Sequence, residues 1–532
     1  MAAAVGVALL LQLVAVARSP LIAPDGIEFI RFARELGADP FVAIRSHAQH
    51  PGCQLLIRFT HVLTGSLIPG DAGWEFAARM ACGASGLACV ALIWLLVRDT
   101  LGVAAANVAA LIFAVLPIAR QNAADALSDP SHLMFYLCAV WLVCRWAACR
   151  SRWNLLLAGV ASGLAFWVRP EGLSAAVMCA GALLVVPALR AAAGGARRAW
   201  LGSAALLAGA AIVAAPLVLV SGKLTGKLAG KPGWQQLQAP VAPTEEMIAK
   251  FLELQRLQPA ATPAPVIPVE GNPKPWGGSP TSIVLGGISQ LGTALAEVLS
   301  GVLLVPLLVG IPIALRRMPR SACWTCLILS VTQIGMLLTL YWLGGYISRR
   351  HLLPLVALLM PSISLGTLAI VHRLNEFGRQ RFNARWLGPG VAVLVLSLLI
   401  PRAIRPLHQS HLHKLQAVEW LRAHGQQGDV VGSNAVEIVY RATMDGRIRP
   451  GSSLRPGLPI DADGPLLQNT HLVVSVDSAN QLPEWTAGIP TAFTPVTRII
   501  GDSKLRQRDL VIYRRRDILQ TAAESPPLNS VR

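Results

Sequence analysis

Residues 321–348 read SACWTCLILSVTQIGMLLTLYWLGGYIS, an apolar stretch that contains no aspartate, glutamate, lysine or arginine. About 20 residues of helix cross the roughly 30 Å of hydrocarbon in a bilayer, so this stretch predicts a membrane-spanning helix. Similar uncharged runs recur along the chain: they are Leu101–Ala119, Ala199–Gly222, Val298–Leu315 and Leu352–Val371. So many runs of this length predict a polytopic α-helical membrane protein rather than a protein with a single anchor.

The composition excludes other classes of protein. Of 532 residues, 54% are hydrophobic and only 14% are charged, which is too little charge to cover a soluble protein of this length. The net charge of +18 lies largely in short loops and comes with no recognisable nucleic-acid module, so we expect no nucleic-acid partner. The nine cysteines lie mostly in or beside apolar runs, which argues against a disulfide framework. The CxxC spacing of Cys323 and Cys326 indicates one turn of a membrane helix rather than a metal site.

The order of apolar runs and basic loops predicts a topology. We expect eleven spans, roughly at residues 1–17, 77–97, 102–118, 131–149, 154–168, 172–189, 200–221, 290–315, 321–344, 352–371 and 387–403. The first is expected to be a retained helix rather than a signal peptide, because no basic residues precede it. Alternate loops are short and rich in arginine, which the positive-inside rule assigns to the cytoplasm. We therefore expect a multi-pass protein of the cell (inner) membrane, with a cytoplasmic N-terminus and an external C-terminus.

Two domains are expected. Residues 1–403 would form the transmembrane domain, with long outer loops at 18–76 and 222–289, and residues 404–532 would form a small extracytoplasmic α/β domain. In the tail, Lys414–His424 has the apolar spacing of a helix, and residues 429–433, 471–477 and 509–514 are typical of strands.

The two long outer loops carry helical patterns of their own. In the first, Gly26–Leu36 predicts a short helix with Asp25 at its N-cap position, and the apolar stretch Pro51–Leu67 is suited to the membrane surface. The second is rich in proline and contains the amphipathic stretch Thr244–Leu257. A long loop of this kind is suited to close over a site as a lid.

Five polar clusters punctuate the apolar chain, and the expected topology puts all five on the outer side. They are Asp25-Gly26-Ile27-Glu28, His50-Pro51, the stretch from Arg120 to Asp129, Arg169-Pro170-Glu171 and Arg349-Arg350-His351. Charges at a membrane edge are costly, so clusters gathered at one face predict a site there. A site at a membrane face indicates a substrate that lives in the membrane.

The carboxylates Asp25 and Glu28 are candidate general bases. A carboxylate at the membrane interface can take a proton from an acceptor hydroxyl or amine as that group attacks an activated sugar carbon. The alternative is structural: an N-cap aspartate and a solvated glutamate in the first helical turn.

Four arginines are candidate ligands for a lipid phosphate, because a guanidinium group binds phosphate in bidentate geometry: they are Arg120, Arg169, Arg349 and Arg350. The alternative for each is snorkelling or structural pairing, for instance of Arg169 with Glu171. Asp129 is either a helix cap before Pro130 or a substrate-binding residue, and His50 could orient a substrate or ligate a metal. No divalent metal or other cofactor is indicated.

Several ordered motifs in this chain resemble those of a known group of enzymes. They are PDG (24–26) followed by Phe29 and Ala33, His50-Pro51, Ala78-Arg79, ALSDP (126–130), GLAFWVRPEGL (163–173) and RHLLP (350–354). Together they resemble the GT-C glycosyltransferases, specifically the bacterial protein mannosyltransferase-like branch, glycosyltransferase family 39 and its relatives. The resemblance covers about two thirds of the chain. Two departures stand out: Gly26 replaces a second acid that the family often has, and His351 replaces a tyrosine.

The resemblance implies an activity. Family members transfer a hexose or pentose, with inversion, from a polyprenyl-phosphate sugar at the external face, and their first-loop acid acts as the base. That role falls on Asp25, while Arg169, Glu171 and Arg350 lie in matched motifs. The implied partners are a lipid-linked sugar donor, a glycan, lipid or protein acceptor, and the bilayer itself. The main alternative is a transporter or flippase for a lipid-linked glycan, which would more often show paired repeats and polar residues at mid-membrane.

Overall fold

The structure, a computed structural model, describes residues 1–222, 224, 280–382, 387–433, 435–444, 447–453, 468–476, 493–500 and 509–516. Its helices are numbered in chain order. The first twelve are α1 (Ala2–Ala17), α2 (Pro24–Ala38), α3 (Pro40–Ser46), α4 (Gly52–Thr64), α5 (Gly70–Leu101), α6 (Val103–Val115), α7 (Pro117–Ala124), α8 (Ser128–Cys149), α9 (Arg152–Val168), α10 (Leu173–Val185), α11 (Pro187–Ala193) and α12 (Ala196–Ser221). The rest are α13 (Pro280–Val298), α14 (Leu304–Arg317), α15 (Arg320–Gly344), α16 (Leu353–Phe382), α17 (Leu387–Ala403), α18 (His413–His424) and α19 (Val436–Ala442).

The predicted fold class, a polytopic helical membrane protein with a small C-terminal α/β domain, is confirmed. Among the described residues, five helices are long and apolar enough to cross a membrane, and seven spans result if each of two bent helix pairs is one span. Shorter apolar helices accompany them: they are Ala2–Ala17, Arg152–Val168, Ile283–Val298 and Val393–Ala403. The expected total of eleven spans stays a prediction.

Three of the expected spans are not single straight helices. The span expected at 290–315 is wrong as one helix, because Ser300 and Gly301 both have positive φ and separate α13 from α14. The pair α6 and α7 bends by 55° before Pro117, and the segment Pro170–Val185 meets α11 at 89° before Pro187. In both cases proline disfavours helical geometry in the residue before it.

Close helix contacts place the segment that carries Arg169. Gly159 of α9 faces α12, and a Cβ on Gly159 would lie 2.1 Å from the carbonyl oxygen of Leu206. Small residues let membrane helices approach this closely, and packing then holds them together. The C-terminal end of α9 is thereby fixed, and Arg169 follows it directly.

The C-terminal domain contains a mixed five-stranded sheet. Its strands are β1 (Val430–Ser433), β2 (Arg449–Ser453), β3 (His471–Val476), β4 (Phe493–Ile499) and β5 (Asp509–Arg515), in the order β2-β1-β3-β5-β4. β1 is parallel to β2 and β3, whereas β5 is antiparallel to β3 and β4. The apolar face of α18, including Val418 and Leu421, packs on this sheet. The helix and three strands expected in the tail are therefore present, with β2 and β4 in addition.

The sheet domain docks against the first outer loop. Arg441 of α19 donates a hydrogen bond to Glu75 at 2.9 Å, and Arg79 donates to the same carboxylate, also at 2.9 Å. Tyr440 packs beside the apolar residues Ile22 and Ile27. The C-terminal domain therefore lies on the same side of the helix bundle as α2.

Candidate active site

An ion pair joins the first outer loop to the start of α16. Nη1 of Arg350 donates to Oδ2 of Asp25 at 2.7 Å, with 50% of the Asp25 side chain and 31% of the Arg350 side chain exposed. Arg350 lies in a 3-10 turn, Arg349–Leu352, that leads into α16. Asp25 was expected to be the N-cap of its helix, and this is wrong: α2 begins at Pro24 with Ala23 as N-cap, so Asp25 lies in the first turn. Its carboxylate is thereby left to meet Arg350.

A second, deeper ion pair joins α8 to the end of α9. Nη1 of Arg169 lies 3.0 Å from Oδ1 of Asp129, and its Nε donates to the Ser128 hydroxyl at 3.2 Å. Asp129 is not a helix cap, because Leu127 is the N-cap of α8 and no side chain makes a capping hydrogen bond there. A structural pairing of Arg169 with Glu171 was one alternative from the sequence, and the structure gives Arg169 a partner from a separate helix, Asp129.

The two pairs adjoin one pocket with an empty volume of about 520 Å³, including the part open to solvent. Its polar lining is Asp129, His132, Arg169, Glu171, Gln333, Arg350 and His351, and its apolar lining is Met336, Leu337, Leu340, Leu353 and Pro354. The pocket is therefore lined by charged and polar residues together with apolar ones.

The helix period explains how the walls are built. Gln333, Met336, Leu337 and Leu340 follow the i, i+3, i+4, i+7 spacing that places residues on one face of α15. Asp129 and His132 are likewise three residues apart on α8. The charged residues come from the ends of helices, where the chain leaves or enters the apolar bundle.

Three of the candidate residues lie elsewhere. The Arg120 side chain is fully buried, with 0% exposure, and Nη2 donates to the carbonyl oxygen of Gly86 at 3.3 Å. Arg349 pairs with Glu297 at an exposed position, and Glu28 pairs with Arg31 one turn along α2. None of these three residues belongs to the described lining of the pocket. The structure therefore does not bring Arg120 or Arg349 into the lining of this pocket with Arg350.

His50 supports the site from outside the pocket. Its ring is buried, and Nδ1 donates to the carbonyl oxygen of Phe166 at 2.6 Å while the ring meets Phe166 edge-on. Phe166 lies three residues before Arg169. His50 thus braces the end of α9.

Three lining residues were not assigned a role from the sequence: His132, Gln333 and His351. Gln333 is a polar residue inside an uncharged span, and a polar residue within a membrane helix usually faces a cavity or the bundle interior. His132 lies one turn beyond Asp129, so helical spacing alone could have indicated it. The lid expected around Thr244–Leu257 falls outside the described residues.

The chain before α2 is held by Asp125. Its Oδ1 accepts a hydrogen bond from the backbone N–H of Ala23 at 2.7 Å and another from Nε2 of His408, also at 2.7 Å. A Cβ added at Gly26 would lie 3.2 Å from the carbonyl oxygen of Asp125. The lack of a side chain at Gly26 therefore lets the first turn of α2 pack closely on the turn before α8.

Metal binding has no visible site in the described part of the chain. There, no group of three or more histidine, cysteine, aspartate or glutamate side chains is placed to hold a metal ion. Within the pocket lining, Asp129 pairs with Arg169.

Part of the chain matches a known protein family. Residues 50–221 match the family model described as dolichyl-phosphate-mannose-protein mannosyltransferase. No match was found among curated proteins.

Solved structures share the fold at low identity. ArnT from Cupriavidus metallidurans, bound to undecaprenyl phosphate, aligns with a TM-score of 0.53 at 14% identity, covering 96% of this chain and 97% of ArnT. The Archaeoglobus fulgidus oligosaccharyltransferase with zinc and sulfate aligns with a TM-score of 0.53 at 13% identity, covering 89% and 68%. The oligosaccharyltransferase AglB from Archaeoglobus fulgidus, with an inhibitory peptide and a dolichol-phosphate, gives 0.51 at 12% identity, covering 89% and 69%. The chain is therefore a multi-pass membrane protein of the GT-C fold and is similar to the protein mannosyltransferases, as its motifs predicted.

Proposed function

We propose that this protein is an integral membrane glycosyltransferase that moves a sugar, with inversion, from a polyprenyl-phosphate donor to an extracytoplasmic acceptor. The proposal is supported by the match of residues 50–221 to the mannosyltransferase family model. Solved proteins of the same fold were captured with undecaprenyl phosphate or dolichol-phosphate, and one of those with an inhibitory peptide. A lipid-phosphate donor and an acceptor outside the membrane fit that pattern.

The single observation that carries the proposal is the mixed lining of the pocket. Arg169 and Arg350 supply guanidinium groups, whereas Met336, Leu337 and Leu340 supply an apolar wall. A polyprenyl-phosphate sugar has the matching parts: an anionic phosphate that guanidinium groups bind well, and an apolar chain. The bilayer would deliver that chain sideways while the phosphate meets the arginines at the helix ends.

Asp25 is the proposed general base. In the reaction, the acceptor hydroxyl or amine attacks the anomeric carbon from the face opposite the phosphate, and the new C–O or C–N bond forms. The bond from the anomeric carbon to the phosphate oxygen breaks, and its electron pair leaves with polyprenyl phosphate. Asp25 takes the acceptor proton, and Arg350 and Arg169 stabilise the charge on the leaving phosphate. Attack from the opposite face inverts the anomeric centre.

Orientation follows from the basic loops. Reporter fusions after Arg152 and Arg320 should be cytoplasmic, and a fusion after Glu171 should be external. A cytoplasmic reporter after Glu171 would place the pocket on the wrong side of the membrane for an extracytoplasmic acceptor.

A transfer assay tests the function. Purified protein would be incubated with undecaprenyl-phosphate mannose, glucose, galactose or arabinose and a lysate-derived mixture of envelope acceptors. Release of undecaprenyl phosphate together with labelled acceptor is the expected result for at least one donor. Binding of a donor with movement across a proteoliposome membrane, and no bond cleavage, would instead favour the transporter or flippase.

A further inference from the structure

The pocket contains buried polar atoms that have no hydrogen-bond partner. They are Oδ2 of Asp129, Nε2 of Gln333 and Nδ1 of His351, and none of them has a partner among the residues that the structure describes. Asp129 and Gln333 are each only 4% exposed, and all three residues line the pocket. Buried polar groups are nearly always paired in folded proteins, so three unpaired atoms around one cavity indicate that something else pairs with them.

The three atoms differ in hydrogen-bonding character. The Asp129 carboxylate accepts, the Gln333 amide nitrogen donates, and an imidazole nitrogen of His351 can do either. A phosphate only accepts and is repelled by a carboxylate, so it fits this set poorly. Hydroxyl groups both donate and accept, and a ring that carries several of them fits all three.

The surroundings hold these groups in place. Oδ1 of Asp129 is already taken by Arg169, which directs Oδ2 to a different partner. The Tyr136 hydroxyl is fully buried and lies against Gln333 and Ser174. The Gln333 amide therefore lies among polar neighbours.

We infer that Asp129, Gln333 and His351 form the subsite for the donor's sugar ring, and that Gln333 and His351 determine which sugar is accepted. This inference rests on the proposed function, because the ring enters as the head group of a polyprenyl phosphate. The phosphate then faces Arg350 and Arg169, and the prenyl chain follows the apolar face of α15. A site that hydrogen-bonds a hydroxyl discriminates strongly against a ligand that lacks the hydroxyl or places it differently.

The test compares sugar-loaded and bare lipid. Affinities for undecaprenyl phosphate and for its mannose, glucose, galactose and arabinose derivatives would be measured on purified protein in nanodiscs. For Gln333→Leu we expect an unchanged affinity for bare undecaprenyl phosphate and a loss of about tenfold or more for the preferred sugar-loaded lipid. The differences in affinity among the four sugar-loaded lipids should become smaller as well. Gln333→Asn should recover part of the preference for one sugar.

Gln12→Leu is the matched control. Gln12 of α1 is also 4% exposed, and both of its amide atoms lack a partner in the described structure, but it lies against Gly83 rather than in the pocket. The Gln12→Leu variant should therefore leave the affinities for bare and sugar-loaded lipid unchanged. His351→Phe keeps an aromatic ring and should repeat the Gln333→Leu pattern if its nitrogen contacts the sugar.

The possible outcomes separate the two claims. Equal losses for bare and sugar-loaded lipid in Gln333→Leu, or no loss for either, would overturn the sugar subsite. A wild-type protein that binds none of the sugar-loaded lipids more tightly than bare lipid would overturn it too. Sugar-dependent binding through Gln333 without any transfer would support the subsite and overturn the glycosyltransferase.

Discussion

Nη1 of Arg350 lies 2.7 Å from Oδ2 of Asp25, although the two residues are 325 positions apart in the chain. The pair is partly exposed, and ion pairs of this kind contribute about 0–1 kcal/mol. A hydrogen bond to a charged group contributes about 1.5–3 kcal/mol, and a phosphate can accept two from one guanidinium group. A donor phosphate should therefore take Arg350 from Asp25, which frees the carboxylate for the acceptor proton.

Arg350→Gln should weaken the binding of a polyprenyl-phosphate donor by about tenfold or more, because a charged hydrogen bond to phosphate is lost. Arg350→Lys should recover part of that affinity, since the charge remains while the bidentate geometry is lost. Binding of undecaprenyl phosphate to purified protein measures both. Arg349→Gln is the matched control, because its guanidinium group pairs with Glu297 at the exposed rim and should matter little. Equal losses in the Arg349 and Arg350 variants would remove the specific phosphate role of Arg350.

The pair Arg169–Asp129 should behave as a buried structural pair as well as a part of the site. Only 4% of the Asp129 side chain and 13% of the Arg169 side chain are exposed. Breaking a buried pair on one side costs about 3–5 kcal/mol, so Arg169→Gln and Asp129→Asn should each lower the unfolding temperature clearly. The double variant should recover part of the loss in a double-mutant cycle. The exposed pair Glu28–Arg31 is the control and should show weak coupling. Additive losses for Arg169 and Asp129 would show that the two do not stabilise each other.

His408 should act as a positioning residue for Asp25. It shares the Asp125 carboxylate with the N–H of Ala23, two residues before Asp25. His408→Ala should lower kcat about tenfold, because small displacements of a catalytic group are costly. Donor affinity should stay unchanged, and His408→Gln, which keeps a donor, should recover part of kcat. His372→Ala, at an exposed position on α16, is the control. A loss of donor affinity equal to the loss of kcat would argue for general destabilisation instead.

The Glu437 carboxylate should stabilise the C-terminal domain near neutral pH and make that stability sensitive to acid. Burial alone would raise the pKa of this carboxyl, but hydrogen bonds from His411 and Lys414 and the charge of Lys414 lower the pKa to about 2. A lowered pKa in the folded state stabilises above the unfolded pKa, and that stabilisation is lost as pH falls toward 2. The unfolding temperature of the full chain should therefore depend less steeply on pH between about 5 and 2 in Glu437→Gln than in the wild type. Identical slopes would exclude a stabilising role for the Glu437 carboxylate.

Local sequence patterns predicted the helices better than the positions at which the helices are interrupted. Residues 321–348 were predicted as a span because an uncharged apolar run of this length is suited to a transmembrane helix. Helix α15 occupies most of that run. The run 298–315 looked equally apolar, yet Ser300 and Gly301 interrupt it with left-handed backbone. Hydropathy is blind to backbone conformation, so the break between α13 and α14 could not be predicted from it.

Contacts between side chains that are far apart in the sequence were harder to predict than the helices and strands. A pairing of Arg169 with its sequence neighbour Glu171 was one alternative, but a partner from another helix, Asp129, could not be read from the sequence. Arg120 looked like a residue of an outer helix end, but its side chain is fully buried on the short helix that follows the bend at Pro117. Which helix faces meet is decided by side-chain packing across the whole bundle, and no local spacing encodes it. For the same reason Gln333 was not predicted as a site residue: the sequence shows that it is polar but not that its side chain faces the pocket.

Turnover by Asp25→Asn tests the central claim most directly. The amide keeps the size of the carboxylate but cannot take the acceptor proton, so turnover should fall at least about a hundredfold, as expected when a general base is lost. The binding of undecaprenyl phosphate and the unfolding temperature should stay close to those of the wild type. Both would be measured on the same preparation, with the donor that the wild type uses. Near-normal transfer by Asp25→Asn would contradict the account and leave Asp25 as a structural partner of Arg350.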